Sequence, residues 1–454
     1  MTNMRGIGMD IGQLPEGWKR VRLGEVCKKI FSGATPLRSN TIFWEHGEIP
    51  WLTNEEVQDG KINYIYGTRE KVSKVALEKT NVSLIPSNAL ILSLTASVGK
   101  VAINMIPLTT NQQFNSFVLD NKETTSQFLA FYLLSVKDKI ISLGGLTTFN
   151  FISKSKIVEF VIPLPPLPEQ QRIAEILETV DNAIEKTTEI IEKYKRIKQG
   201  LMQDLLTRGI DENGNIRNEK THRFKDSPLG RIPEEWEVVR LGEVFKENLP
   251  GEWGNDPISD KEIYPIISTI AISYDGKINS SKAVMRQINK NKLKLGKILL
   301  RKFDILLEKS GGSTDMPAGK VALVKESFGG TCSNFIQILR VKEEYDPLFI
   351  FYKLLYDFIN KETEKYQQRT TGIINFKINE YFAEEVPLPS LPEQHRIAEI
   401  LEAIDNTIEK EQKYKEKLER IKQGLMEDLL TGKVRVNHLI GGNGGNSRQR
   451  EDLT

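Results

Sequence analysis

The sequence predicts an α+β protein: two similar mixed α/β globular segments, each followed by a long α-helix. Three observations predict it. Residues 163–206 (PLPPLPEQQRIAEILETVDNAIEKTTEIIEKYKRIKQGLMQDLL) return as residues 387–430 (PLPSLPEQHRIAEILEAIDNTIEKEQKYKEKLERIKQGLMEDLL), identical at 31 of 44 positions without a gap. A repeat of that kind governs how every local motif is read. Within each copy, apolar residues recur in alternating steps of four and three, the pattern of a helical seam. Before each copy, short apolar or alternating runs are punctuated by Gly, Pro and Asn, the pattern of strands and turns.

The chain as a whole sets bounds. Its 454 residues suggest about three domains, but the 224-residue repeat spacing favours two half-chains. An apolar content of 39% with 27% charged residues is ordinary globular composition. Two cysteines, Cys27 and Cys332, exclude a disulfide framework and suit a reducing cytosol. The opening MTNMRGIGMDIG lacks a basic-then-apolar signal, and no apolar run approaches ~18 residues, so a cytoplasmic protein without a membrane span is expected. A net charge of +2 becomes informative once divided: residues 1–160 carry 18 basic against 14 acidic groups. Between Asp275 and Asp304 stand nine bases and no acid. Such a run is most often a solvated face; its functional reading is an anion-binding surface, with a polyphosphate backbone as the usual partner.

In order, the first globular segment (1–162) opens on PEGWKRVRLGEV and the second (233–386) on PEEWEVVRLGEV, which makes Trp18 and Trp236 equivalent core anchors. Strands are expected at 89–94, 100–103 and 117–119, then a helix over 127–141 with Phe128, Phe131, Tyr132, Leu134 and Ile141 as its apolar set. The second segment repeats the order, with strands at 298–300, 320–324 and 336–341 and a helix near 348–359. Gly99-Lys100-Val101-Ala102 matches Gly319-Lys320-Val321-Ala322 at an offset of 220. The two segments therefore share a fold while their sequences have diverged far more than the repeat.

Each segment runs into a repeat helix (163–207 and 387–433). Pro168 and Pro392 suit a first helical turn, and Glu169 and Glu393 complement its dipole. The first seam is Ile173, Leu177, Val180, Ile184, Thr187, Ile191, Tyr194, Lys198, Leu201 and Leu205. The second is Ile397, Leu401, Ile404, Ile408, Glu411, Lys415, Leu418, Lys422, Leu425 and Leu429. Neither helix is a good coiled coil alone; the two together can form one, about 40 residues or roughly 60 Å long. Residues 208–232, polar and without periodicity, read as a linker, and 434–454 as a flexible tail.

No catalytic constellation is present. No Pro-Asp dipeptide exists to begin a PD…ExK nuclease pattern, and the adjacent prolines Pro165-Pro166 are flanked by leucines, unlike an amino-methyltransferase loop. The stretch 312–320 has glycines too far apart for a phosphate loop, with Val321 where a Ser or Thr would bind Mg²⁺. His46, His222, His395 and His438 are isolated from one another and from the cysteines.

The doubled PLPxLPEQxRIAEILExxDxxIE stretch, the repeated ExW…RLGEV openings and the internal RFKDSPLGRIPEEW together resemble the specificity (S) subunit of type I restriction-modification enzymes, to about Lys433. The resemblance implies two target-recognition domains, each reading half of a split double-stranded DNA sequence. It implies an antiparallel coiled coil with pseudo-twofold symmetry holding them apart. It also implies two adenine methyltransferase subunits as partners, together with restriction (translocase) subunits. S-adenosylmethionine, ATP and Mg are then expected in those partners and no cofactor in this chain, which is itself non-catalytic.

Two features of the residues support that reading. Divergent heads on near-identical helices are expected when heads read different sequences and helices meet one partner. Identical positions also lie off the seam: Arg172/Arg396, Glu175/Glu399, Asp181/Asp405, Asn182/Asn406, Glu185/Glu409 and Lys186/Lys410. Pairing of the helices alone does not call for them, which makes them candidates for partner docking. Duplication without a partner is the plainer alternative. Candidate DNA contacts are Arg38, Lys61, Arg69, Lys71 and Lys74 in the first head and Arg286, Lys290, Lys292 and Lys294 in the second; an ordinary surface role competes for each. Two other classes remain at the residue level. An autonomous nuclease or methyltransferase would act on DNA alone, and a coiled-coil scaffold with two protein-binding heads would lack salt-dependent DNA affinity.

Overall fold

The computed structural model describes residues 12–144, 151–288, 295–312, 317–370 and 373–440. The chain divides into two compact units, residues 1–188 with 413–454, and residues 189–412. Each unit combines a head with part of both long helices.

In the first unit, Lys19–Arg22 pairs antiparallel with Val161–Leu164, closing the head where the chain enters and leaves it. A five-stranded sheet follows, in the order Cys27–Ser32, Phe114–Leu119, Leu90–Ser93, Val101–Asn104, Ile62–Ile65. A three-stranded sheet carries Glu70–Val72, Ile49–Leu52 and Thr109–Thr110. The strand Leu90–Ser93 is buried at all four positions, because it is a central strand covered on both faces. One face receives the helix Ser126–Ser135, capped by the Thr125 side chain accepting from the Phe128 N–H. The helix expected over 127–141 is broken at Val136, a β-branched residue of low helix propensity, and resumes as Lys137–Ser142. Phe117, Phe128 and Phe131 share one cluster with Ile173, Leu177, Leu429 and Leu430, so the ends of both long helices belong to the head's core.

The second unit repeats this plan with changes. Glu237–Arg240 pairs with Glu385–Leu388. The main sheet has four strands, Phe245–Pro250, Ile336–Val341, Ile305–Glu308 and Val321–Leu323, and the smaller sheet has Val284–Gln287, Ile263–Ile267 and Thr331–Cys332. A further sheet joins Ser310–Gly312, Ile373–Phe376 and Gln367–Thr370. The strand expected at 298–300 is a correction: Ile298 ends a one-turn helix, Leu295–Ile298, and the strand begins at Ile305. A short apolar run does not distinguish the two by periodicity. The helix Pro347–Ile359 has Asp346 as its cap and proline in its first turn. Its core gathers Phe349, Tyr352 and Leu355 with Leu205, Leu206, Ile397 and Leu401.

The long helices span Leu167–Thr207 and Leu391–Leu430. In the first unit Glu169 meets Arg435 and Asp181 meets Lys422; in the second Lys198 meets Asp405 and Arg217 meets Glu393. Partner numbers fall as residue numbers rise, so the pairing within each unit is antiparallel. The expected seam is inward throughout. Ile173, Leu177, Ile191, Leu205, Ile397, Leu401, Ile408, Leu418 and Leu429 are buried, and Val180, Ile184, Leu201, Ile404 and Leu425 are half-buried. Full burial of such a side chain contributes about 1.5–3 kcal/mol.

The stretch read as a linker and the start of the stretch read as a flexible tail both carry structure. Phe224–Ser227 and Gly230–Pro233 form a hairpin at the end of 208–232 and one residue beyond it, and 434–440 includes the buried Val436. Polar composition concealed both: the hairpin pairs locally through two four-residue strands, whereas Val436 packs in the first head's core, far away in sequence. Residues 441–454 lie outside the described residues.

Candidate functional site

Four of the five first-head candidates come together. Arg69, Lys71 and Lys74 are exposed on or beside the strand Glu70–Val72 and the helix that follows it. Arg38 joins them through Glu70, with Nη1 and Nη2 donating to the two carboxylate oxygens at 2.9 and 2.7 Å. Its guanidinium lies over the rings of Trp44 (3.9 Å) and Trp51 (4.7 Å). The indole N–H groups of both donate to backbone carbonyls, of Leu37 and Ala34, which fixes the surface beneath the arginine. The hydrogen bonds from Arg38 hold the Glu70 carboxyl below its ordinary range. Lys74 reaches Glu48 at 3.1 Å. Lys61 is the exception: its ammonium lies 3.4 Å from Glu185 on the central helix, a head-to-helix contact away from the cluster. In the second head, Arg286 lies over Trp253 at 4.9 Å and pairs with Asp256. Lys290, Lys292 and Lys294 lie outside the described residues.

The start of each long helix carries a buried lock. Glu169 accepts from Trp18 Nε1 at 3.0 Å and from Arg435 Nε and Nη2 at 2.6 and 2.9 Å. Glu393 accepts from Trp236 Nε1 at 3.4 Å, from the Ile210 N–H at 2.9 Å and from Arg217. Arg217 follows the central helix and Arg435 the distal one, so the residues trailing each helix seal the start of the other. Glu169 and Glu393 were expected to complement the helix dipole; their larger role is to partner an indole and an arginine, half-buried Arg435 for Glu169 and buried Arg217 for Glu393. Neither arginine was identified from sequence, although both sit in comparable stretches, Asn215-Ile216-Arg217 and Lys433-Val434-Arg435.

The docking candidates separate into two groups. Asp181 and Asp405 require correction, because pairing of the helices does call for them. Asp181 lies 2.6 Å from the seam Lys422, and Asp405 accepts from the seam Lys198 at 2.7 and 2.9 Å and from the Tyr352 hydroxyl at 2.8 Å. Glu185 holds Lys61, and Glu409 is half-buried. Arg172 pairs with exposed Glu175 at 2.9 Å, while Arg396 and Glu399 are exposed and Arg396 donates to the Glu212 carbonyl. Sequence reasoning missed a second feature of the same helices. Ile197 and Ile421, equivalent in the repeat, are 38% and 41% exposed. Three residues on, Gly200 and Gly424 stand mid-helix where a Cβ would meet nothing within 4 Å. A glycine there costs about 0.5–1 kcal/mol relative to alanine, and neither backbone conformation nor crowding explains it. Two identical glycines inside long helices were the available signal.

Burial pushes both thiols, Cys27 and Cys332, up to about 12, which leaves neither a nucleophile at neutral pH. Among the described residues, no group of three or more His, Cys, Asp or Glu is placed to hold a metal ion, and no helix is long and apolar enough to cross a membrane.

Known proteins share this arrangement. The type I restriction enzyme MjaVIII specificity subunit of Methanocaldococcus jannaschii is 29% identical over 459 aligned residues, spanning 94% of this chain and 95% of the relative. The Escherichia coli EcoDI specificity subunit is 24% identical over 427, spanning 89% and 85%. The crystal structure of a type I restriction-modification S subunit from M. genitalium shares the fold, with a TM-score of 0.56 over 92% of this chain and 98% of that one at 15% identity. Residues 15–196 and 233–420 each match the family described as type I restriction modification DNA specificity domain. The chain belongs to that family.

Proposed function

We propose that this chain is the DNA-specificity subunit of a type I restriction-modification complex, reading a split, asymmetric sequence with its two heads. Two copies of an adenine methyltransferase, and restriction (translocase) subunits, assemble on its helices in the cytoplasm. Methyl transfer and ATP-driven cleavage belong to those partners, with S-adenosylmethionine, ATP and Mg²⁺ bound there. The observation that carries this reading is the contrast between heads that differ and helices that repeat.

Arg38, Arg69, Lys71 and Lys74 serve the first head as phosphate or base contacts, and Arg286 with Lys290, Lys292 and Lys294 serves the second. For docking, the exposed face around Ile197 and Gly200, repeated at Ile421 and Gly424, takes a methyltransferase helix at close range, with Glu175 and Glu399 at its margin. A glycine pair that nothing in this chain requires supports close approach by another backbone. The helix pair acts as a ruler of roughly 60 Å, so inserting one helical turn into both helices lengthens the gap between the half-sites.

Co-expression with an adenine methyltransferase of this enzyme class, followed by mapping of methyladenine across host DNA, tests the function. Methylation at one bipartite sequence that depends on this chain is expected. A methylation pattern that is the same without the chain overturns the reading.

A further inference from the structure

The two heads carry an indole-stacked arginine–carboxylate pair between the same loop and the same face of the same strand, with the charges exchanged and the strand member two residues apart in register. Correspondence follows from backbone geometry. Gly33 and Gly251 occupy the same crowded site, where a Cβ would lie 1.8 Å from the Asn111 carbonyl oxygen or 2.2 Å from that of Cys332. Arg38 stands five residues after Gly33, and Asp256 five after Gly251. Opposite them, Trp51 faces Glu70 and Thr109, while Ile266 faces Val284 and Thr331, which sets Glu70 level with Val284. Arg286 lies two residues beyond Val284 and therefore on the same strand face as Glu70's counterpart. In the first head the loop supplies the arginine and the strand the carboxylate; in the second the loop supplies Asp256 and the strand Arg286.

An exposed ion pair contributes only about 0–1 kcal/mol to stability, which gives no reason to rebuild one with reversed polarity on an aromatic bed. Recognition does give one. In the major groove a guanidinium donates to O6 and N7 of guanine, and a carboxylate accepts from the N4 amine of cytosine. Both members of the first pair are about half exposed, with side-chain exposures of 53% and 43%. In the second, Asp256 is 88% exposed while the Arg286 side chain is only 14% exposed, with its Nε buried and without a hydrogen-bond partner.

We infer that each pair reads one G·C base pair, and that the exchange of donor and acceptor between loop and strand reverses which strand carries the guanine relative to the head. The inference rests on the DNA-reading function proposed above and names a specificity determinant within it. Free of DNA, each carboxylate holds its arginine in place over the indole; on DNA the two exchange part of their mutual bonding for the base edges.

The test is selection of a randomised 40-base-pair duplex library by the full-length chain, wild type and variants, at fixed salt. Wild type should enrich a motif with two half-sites. Arg38→Ala and Arg38→Lys should each lose about tenfold or more preference at a single G·C pair of one half-site, and Arg286→Ala should do so in the other half only. Glu70→Gln, which keeps the side-chain shape, should relax the same position as Arg38→Ala. A wild-type motif that all of these variants retain, whether or not they lower the melting temperature, makes the pairs structural clips and overturns the inference alone. A wild-type chain that enriches no motif overturns both the inference and sequence reading by the heads.

Discussion

The two heads are built on one strand plan around different interiors. Register aligns Val118 of the first with Arg340 of the second, opposite Lys29 and Glu247, and aligns Ser93 with Glu308. Where the first head has an aliphatic side chain, Arg340 is buried against Asp304 at 2.9 Å and Glu247 at 2.6 Å. Where the first has a serine, Glu308 is buried 3.6 Å from Lys320, with one oxygen unpartnered. The helix locks behave oppositely, because Trp18–Glu169–Arg435 and Trp236–Glu393–Arg217 repeat the same chemistry. Divergence reaches the interior of the heads and spares the helix ends, falling most densely in the helices between Thr187 and Lys195 against Glu411 and Glu419, as expected if two heads recognise different sequences while two helix ends hold them in one way.

That comparison is broken most sharply at the buried charges. Arg340→Ala removes the guanidinium from the buried Asp304, which keeps the Arg301 N–H, and should cost about 3–5 kcal/mol. Val118→Ala at the matching place should cost about 1–2 kcal/mol, and calorimetric melting of the two variants compares them directly. Glu169→Ala and Glu393→Ala, by contrast, should both destabilise their respective units, Glu393→Ala by about 3–5 kcal/mol and Glu169→Ala by less because Arg435 is partly exposed, read by hydrogen exchange at Trp18 and Trp236.

Burial raises the Glu308 carboxyl from the ordinary 4.5 to about 7. Below pH 4.5 it is protonated both folded and unfolded. Between pH 4.5 and 7 only the folded state keeps the proton, so its contribution to stability falls as pH rises through that window. Glu308→Gln should therefore stabilise the second head by on the order of 2–3 kcal/mol at pH 8 and have little effect at pH 4.5. Ser93 gives the first head no such dependence; chemical denaturation at the two pH values resolves the difference. The smallest stability effect is expected on the shared surface. Ile197→Glu with Ile421→Glu should change unfolding free energy by under about 0.5 kcal/mol while abolishing co-purification with the methyltransferase.

What the sequence made legible follows the range of the forces involved. The helix seam was readable because its signal is local and periodic, down to Lys198 and Lys422 at seam positions. That Asp181 and Asp405 serve the pairing of the helices was not readable, because their partners lie on the other helix and the register that joins them is tertiary. Arg217 and Arg435 were hidden in polar stretches for the same reason. Of the DNA candidates, Arg38 was chosen for its charge alone; the indoles and the carboxylate that orient it are separated from it by up to 32 residues. Asp256, which pairs with Arg286, gave no local signal because that partner stands 30 residues away. Lys61 shows the converse, a basic residue 3.4 Å from Glu185 of the central helix.

The central claim is that the heads read and the helices hold. Its most direct measurement is methyladenine mapping with a chain in which residues 233–386 are replaced by a copy of 15–162, after confirming co-purification with the methyltransferase. The account predicts a target whose two halves carry the same sequence in inverted orientation. Methylation at the unaltered wild-type target would contradict it.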